Sequence, residues 1–346
     1  MADRPAGGRA LRPGAGRPAL SGPLPPERPV IAVVGPTASG KSAVAQAVAQ
    51  ALDGEVVSAD SMQVYRGMDI GTGKVPVAER VVPHHGLDLV DPGQAYSAAL
   101  FQAYAREAFA AIEGRGRRAI LAGGTGFYVR AALDDYRFPV GEQVGNPVRE
   151  RWQRYAEEQG AQALWERLRE QDPASAEAIH PNNVVRVVRA FELLAEGESY
   201  ARQKASLAAV APWAAAQWVG LAVEPGRLAA RIEARVDAMF DQGLVEEVEG
   251  LLARGYGQAL TAASAIGYKE VVAALRDECS LDEAREAIKA ATRRYAKRQR
   301  TWFRSDGRIA WFDTDEADDP RGFEELAQRI VEHLEGSGLA TAGVGC

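Results

Sequence analysis

Val30-Ile31-Ala32-Val33-Val34-Gly35-Pro36-Thr37-Ala38-Ser39-Gly40-Lys41-Ser42 is an apolar run that ends in a complete G-x-x-x-x-G-K-S loop, and a helix-favouring stretch, Ala43 to Leu52, follows it. That strand–loop–helix order is the context in which such a loop binds phosphate. The glycines let the backbone wrap an anion, the amides and the helix N-terminus donate to it, and Lys41 adds a fixed positive charge. A Gly-rich turn before an ordinary helix would leave Lys41 and Ser42 without a purpose.

The rest of the chain argues against ATP as the phosphate source. A nucleotide hydrolase or kinase with this loop wants a second apolar strand ending in an aspartate for Mg²⁺ or its water. The best later strand, Ala119-Ile120-Leu121-Ala122, instead runs into Gly123-Gly124-Thr125-Gly126. No N-K-x-D guanine-specificity loop is present either. An acid does close the strand Glu55-Val56-Val57-Ser58-Ala59-Asp60. Coming straight after the P-loop helix, that strand is expected to neighbour the first one, which would set Asp60 beside the phosphate at the carboxyl edge of the sheet. A strand-end Asp can equally cap a turn.

Strands alternate with helical segments from residue 30 to 133, the pattern of a doubly wound parallel sheet. From 140 to 204 the chain reads as helices with charged faces (148–159, 161–171, 183–195), punctuated by Asp172-Pro173 and His180-Pro181. A strand returns at 217–223, and helices occupy the remainder apart from 309–312. The expected fold class is therefore α/β, a P-loop doubly wound parallel sheet with an inserted helical domain. Its core is assigned to 30–139 and 205–334 and the insertion to 140–204. The Pro/Gly/Ala/Arg-rich residues 1–29 and the Gly-rich residues 335–346 read as flexible tails.

With 346 residues, 47% of them hydrophobic, the chain can bury a large core. Two cysteines, Cys279 and Cys346, make no disulfide framework and fit a reducing cytoplasm. No apolar stretch reaches the ~18 residues of a membrane-spanning helix. The net charge of −6 does not advertise nucleic-acid binding, but its distribution does. Lys289, Arg293, Arg294, Lys297, Arg298, Arg300 and Arg304 fall in sixteen residues with no acid among them and with Tyr295, Trp302 and Phe303 interleaved. On a helix, Arg294, Lys297, Arg298 and Arg304 find no local acidic partners, so the face is either balanced by acids elsewhere or laid against phosphodiesters.

The segments Ser58-Ala59-Asp60-Ser61-Met62-Gln63-Val64-Tyr65, Met68 to Lys74, His84-His85-Gly86-Leu87-Asp88, Gly123 to Tyr128, His180-Pro181-Asn182, Arg186 to Ala190, Ala265 to Glu270 and Tyr295 to Gln299 together resemble the tRNA dimethylallyltransferases, in family order from about residue 30 to 315. The resemblance implies transfer of a dimethylallyl group from dimethylallyl diphosphate to N6 of the adenosine immediately 3′ of the anticodon, in tRNAs reading codons that begin with U. Gly35, Thr37, Ala38, Ser39, Gly40, Lys41 and Ser42 would then hold a diphosphate leaving group, which accounts for the missing hydrolase acid, and Ser42 would contact Mg²⁺.

Asp60 is implied as general base, with Thr125 and Arg235 as its catalytic companions on the diphosphate side. Arg231, one turn earlier in the same R-x-x-x-R helix, is the alternative to Arg235. Contacts to the tRNA anticodon stem-loop are implied for Asp60, Ser61, Met62, Gln63, Arg149, Val185, Arg186, Val187, Val188, Arg189, Ser264, Ala265, Ile266, Gly267, Tyr268 and Lys269. The family commonly has a longer polar or basic side chain where Ser264 stands. A monomer is expected. An adenylate isopentenyltransferase acting on free nucleotides is the nearest competitor, and the helical insertion and the basic stretch favour a macromolecular acceptor.

Overall fold

The structure, a computed structural model, describes residues 23–138, 146–208, 210–255, 265–315, 317 and 319–338. Most of the expected N-terminal tail and Ser264 lie outside these residues. Arg28, assigned to that tail, is anchored: its amide donates to Glu113 and its guanidinium to the Gly116 carbonyl, both at 3.0 Å.

In chain order, β1 (Val30–Val34) leads through the phosphate loop into α1 (Lys41–Ala51), followed by β2 (Gly54–Ser58), β3 (His84–His85), α2 (Ala98–Gly114), β4 (Arg118–Gly123) and α3 (Gly126–Leu133). Four helices follow: α4 (Pro147–Gln171), α5 (Pro173–Glu177), α6 (Val184–Ala195) and α7 (Tyr200–Ala208). The chain then returns with β5 (Ala216–Ala222), α8 (Pro225–Asp241), α9 (Leu244–Ala253), α10 (Tyr268–Leu275), α11 (Leu281–Arg304), β6 (Ile309–Asp313) and α12 (Pro320–Gly338). All six strands run parallel in the order β3-β2-β4-β1-β5-β6.

Strand alternation explains why both faces are covered. Val30, Ala32 and Val34 point into one hydrophobic cluster with Phe101 and Phe109 of α2, Val129 of α3 and Phe303 of α11. Ile31 and Val33 point into a second, with Val44 and Val48 of α1 and Leu326 and Ile330 of α12. Each face buries continuous apolar surface, as a parallel sheet requires. The α/β doubly wound class is therefore as the sequence indicates.

Several details differ. β2 does not neighbour β1, because β4 lies between them, paired with β1 at Val33–Ala122 and with β2 at Val57–Leu121. β3 is a two-residue strand that pattern alone does not reveal. α7 runs to 208, past the expected edge of the insertion, and α12 continues to Gly338, past the expected start of a tail at Glu335.

The helices α4 to α7 build a third hydrophobic cluster from their own residues, centred on Leu164, Leu168, Val187 and Phe191. Asn146 caps α4 by accepting from Val148 and Arg149, and Asn183 caps α6 by accepting from Arg186. α4 breaks at Gly160, whose φ of 87° separates the two expected helices, 148–159 and 161–171.

Candidate active site

At the carboxyl edge of β1 the chain turns into α1 through Gly40, which adopts φ 85° as the helix N-cap. A side chain there would meet both a left-handed backbone and the ring of Phe323 from α12. No side chain caps α1 and no acid sits in its first turn, so its free amides face the pocket mouth as an anion site. Ala38 is held at φ 61°, and Ser39 is fully buried with its hydroxyl unpaired.

Thr37, Lys41 and Ser42 line the pocket, whereas Gly35, Ala38, Ser39 and Gly40 shape the loop around it. The Lys41 ammonium donates to the Pro36 carbonyl at 2.5 Å. Burial, and then the neighbouring Arg235 guanidinium, pull its pKa down to about 7 against the opposing attraction of Asp60. Lys41 has no ion pair among the described residues, and a polyanion in the pocket would give it an anionic partner.

Asp60 lies across the pocket from Lys41. Although β4 intervenes, the chain beyond β2 folds over the end of β4, with the Ala59 amide donating to the Ala122 carbonyl at 2.7 Å. Asp60 reaches the cradle by this route and not by strand adjacency. One carboxylate oxygen accepts the Met62 amide at 2.9 Å, so Asp60 caps its turn and also lines the pocket.

Thr125 is turned towards this corner. Its hydroxyl accepts the Ser61 amide at 3.1 Å, tying the end of β4 to the Asp60 turn. Arg235 of α8 enters from the far side, with its guanidinium 3.5 Å from the Thr37 hydroxyl and 3.4 Å from the Thr72 carbonyl. Arg231 is directed elsewhere, to Thr314 and the Ala317 carbonyl, which fastens α8 to the turn after β6. Of the two arginines only Arg235 belongs to the pocket.

The residues expected to meet RNA divide by surroundings. Gln63 lines the pocket, but its amide is engaged: Oε1 accepts from Ser58 at 2.8 Å and Nε2 donates to the Thr72 and Gly73 carbonyls. Met62 packs against the core. Val187, Val188, Ala265 and Tyr268 are buried, and their side chains pack within the protein. The Tyr268 hydroxyl donates to Glu247 at 2.5 Å, and Glu247 also collects the amides of Asp69, Ile70 and Gly71, fixing the loop that delivers Thr72 and Gly73 to the pocket.

Arg149 and Arg189 both clasp the buried carboxylate of Glu192, Arg149 at 2.6 Å and Arg189 at 2.9 Å. Burial disfavours that carboxylate, and the two guanidiniums nevertheless hold its pKa below the ordinary value. Val185, at 79% exposure, and Arg186 point outward. Gly267, at φ 100°, is the N-cap of α10, beside Ile266 and exposed Lys269.

On α11, Lys289 pairs with Asp237 and Arg293 with Glu233. Arg294, Lys297, Arg298 and Arg304 are exposed and form no ion pair among the described residues. Arg298 lies over the Tyr295 ring. The opposite face of α11 sends Tyr295 and Gln299 into the pocket. In the sequence Tyr295 reads as an aromatic interleaved in the basic stretch and Gln299 as part of a motif, neither with a place in the site, and nothing marks Glu247. Their partners lie far away in sequence, so no local signal marks them.

The pocket thus opposes two half-buried cations and a helix N-terminus to a single carboxylate. It suits a polyanion whose charge grows during reaction, with a base close by. The family model described as IPP transferase matches residues 63–306, and a second, Isopentenyl transferase, matches 28–83. The chain is 45% identical to the tRNA dimethylallyltransferase of Desulforudis audaxviator, over 90% of this chain and 99% of that one. It is 47% identical to that of Geobacter metallireducens, over 82% and 92%.

Among solved structures it resembles the full-length tRNA isopentenylpyrophosphate transferase of Bacillus halodurans, with a TM-score of 0.63 and 39% identity over 89% of this chain and 97% of that one. A eukaryotic dimethylallyltransferase acting on tRNA gives a TM-score of 0.71 and 26% identity, over 90% and 80%. With a family model covering most of its length and relatives of this similarity along nearly all of it, the chain belongs to the IPP transferase family.

Proposed function

We propose that this protein is a tRNA dimethylallyltransferase, transferring a dimethylallyl group from dimethylallyl diphosphate to N6 of the adenosine immediately 3′ of the anticodon and releasing diphosphate. The observation that supports this reading best is the opposition of Asp60 to Lys41 and Arg235 in one pocket. An exocyclic amine is a weak nucleophile whose proton must leave as the new C–N bond forms, and Asp60 has a carboxylate oxygen to receive it. Negative charge grows on the diphosphate oxygen as the allylic C–O bond breaks, and Lys41, Arg235 and the loop amides are fixed to stabilise it. Arg235 suits this task because its planar fork matches diphosphate oxygens.

Magnesium fits here through the leaving group. Ser42 is exposed at the pocket and its hydroxyl makes no hydrogen bond among the described residues. No cluster of acidic or His/Cys ligands stands among the described residues, so Ser42 and the diphosphate oxygens would share the ion, as is usual for this hard, water-retaining cation. When bound, it neutralises part of the diphosphate charge.

The acceptor is a nucleotide drawn out of a single-stranded loop, since N6 must reach the base of a pocket. Exposed Arg294, Lys297 and Arg298 on α11, with Val185 and Arg186 on α6, are the surfaces we assign to the RNA. No helix among the described residues is long and apolar enough to cross a membrane. Incubating the protein with dimethylallyl diphosphate, Mg²⁺ and unmodified tRNA, then digesting the RNA for mass spectrometry, should yield N6-isopentenyladenosine. Its absence would refute the assignment.

A further inference from the structure

Gln299 has a role beyond those assigned above. It is only 5% exposed, on the inner face of α11, and its amide spans two loops. Oε1 accepts the Thr37 amide of the phosphate loop at 2.8 Å, and Nε2 donates to the Gly124 carbonyl at the end of β4 at 2.9 Å. Gln299 stands 262 and 175 positions along the chain from these two partners, and its one side chain joins them.

The surroundings are shaped for it. A Cβ at Gly124 would collide with Nε2 of Gln299, whereas its other neighbour, the Gly35 carbonyl, would lie at an ordinary 3.5 Å. Glycine at 124 is thus required chiefly by the glutamine. Tyr295, one turn earlier on α11, lines the pocket, and its phenol is pushed up to about 12 by burial and by Asp60 while it bonds to Thr125 and Gln299. The Thr37 hydroxyl lies 3.5 Å from Arg235. Gln299 therefore consumes the Thr37 N–H, leaves the later loop amides for the anion, and orients the Thr37 hydroxyl beside the guanidinium.

We infer that Gln299 is a positioning residue for diphosphate binding, its amide clamping Thr37 of the phosphate loop to Gly124 of the β4–α3 turn. The inference rests on the reading of this pocket as a diphosphate site. It adds that the helix whose outer face bears Arg294, Lys297 and Arg298 also sets the phosphate loop from its inner face.

The test uses inorganic diphosphate with Mg²⁺ as probe, titrated calorimetrically into the full chain, so it does not depend on the acceptor. Gln299→Met keeps the packing volume but leaves a buried amide and carbonyl unpaired. It should weaken diphosphate binding about 10-fold while anticodon stem-loop affinity stays within about twofold. Gly124→Ala should weaken it at least as much, and Gly124→Ala combined with Gln299→Ala should bind no worse than Gln299→Ala alone, because the collision is gone. Wild-type diphosphate affinity in Gln299→Met would overturn the inference. So would simple additivity in the double variant, or equal losses of diphosphate and RNA affinity with a lowered Tm. Should Gln299→Met not fold, the Gly124 pair still decides. A wild-type protein that binds diphosphate but prenylates no RNA would defeat the functional reading and leave this inference standing.

Discussion

Asp60 performs two tasks, and the substitution that separates them is Asp60→Asn. The asparagine oxygen still accepts the Met62 amide, so the turn survives, but it cannot take a proton from N6. Single-turnover transfer should fall by about 10²-fold or more with the melting temperature little changed. A fall below about fivefold would reduce Asp60 to a turn cap. The paired arginines of α8 offer a second contrast. Arg235→Ala should raise KM for dimethylallyl diphosphate and depress kcat, since its guanidinium faces the pocket. Arg231→Ala should chiefly lower Tm, since it removes the ties to Thr314 and Ala317. Kinetics and melting curves on both variants check this, and the reverse pattern would exchange their roles.

At this scale the phosphate loop is legible in sequence as a short motif with fixed flanks and Asp60 as an acid closing a strand, whereas Arg235 comes through the family resemblance, with Arg231 as its alternative. Glu247, Tyr295 and Gln299 are not. A glutamate on α9 that binds three amides of the 69–71 loop has no sequence neighbour to betray it. A valine in a motif likewise reads the same whether exposed, as Val185, or buried, as Val187.

The elements divide between those fastened by ion pairs and those that carry exposed charges forming none among the described residues. α4 and α6 are locked by Glu192 between Arg149 and Arg189. Removing the partners of a buried charge strands it, so Arg149→Ala combined with Arg189→Ala, which leaves the Glu192 carboxylate unpaired, should destabilise the helical cluster by about 3 kcal/mol, visible in denaturant melts. Arg149 belongs to that pair, and its mutation should affect RNA binding through folding and not through the RNA phosphates. α11 behaves oppositely. Replacing Arg294, Lys297 and Arg298 together with Gln should weaken tRNA binding and reduce the slope of log K against log[salt], by somewhat less than one for each phosphate no longer neutralised. An unchanged slope would mark the face as merely solvated.

The helix periods and the break at Gly160 can be read from sequence because they are local. The position of β4 between β1 and β2 cannot, because strand order depends on which crossovers bury both faces of the sheet.

At the scale of the molecule, the pocket stands alongside a separate helical cluster and an exposed basic face on α11. An enzyme acting on free AMP needs the pocket alone, and the cluster built by α4 to α7 would then have no task. An enzyme that draws a base from an anticodon loop needs surfaces outside the pocket to grip the RNA, and the exposed Arg294, Lys297 and Arg298 of α11 with the exposed Val185 and Arg186 of α6 are those we assign to it. The deciding measurement is a competition: the protein, dimethylallyl diphosphate and Mg²⁺ with an anticodon stem-loop bearing adenosine just 3′ of the anticodon, and equimolar AMP, followed by mass spectrometry of both. The account predicts isopentenylation of the stem-loop at that single adenosine, with AMP left unmodified. Efficient prenylation of AMP, with the stem-loop a poor competitor, would contradict it.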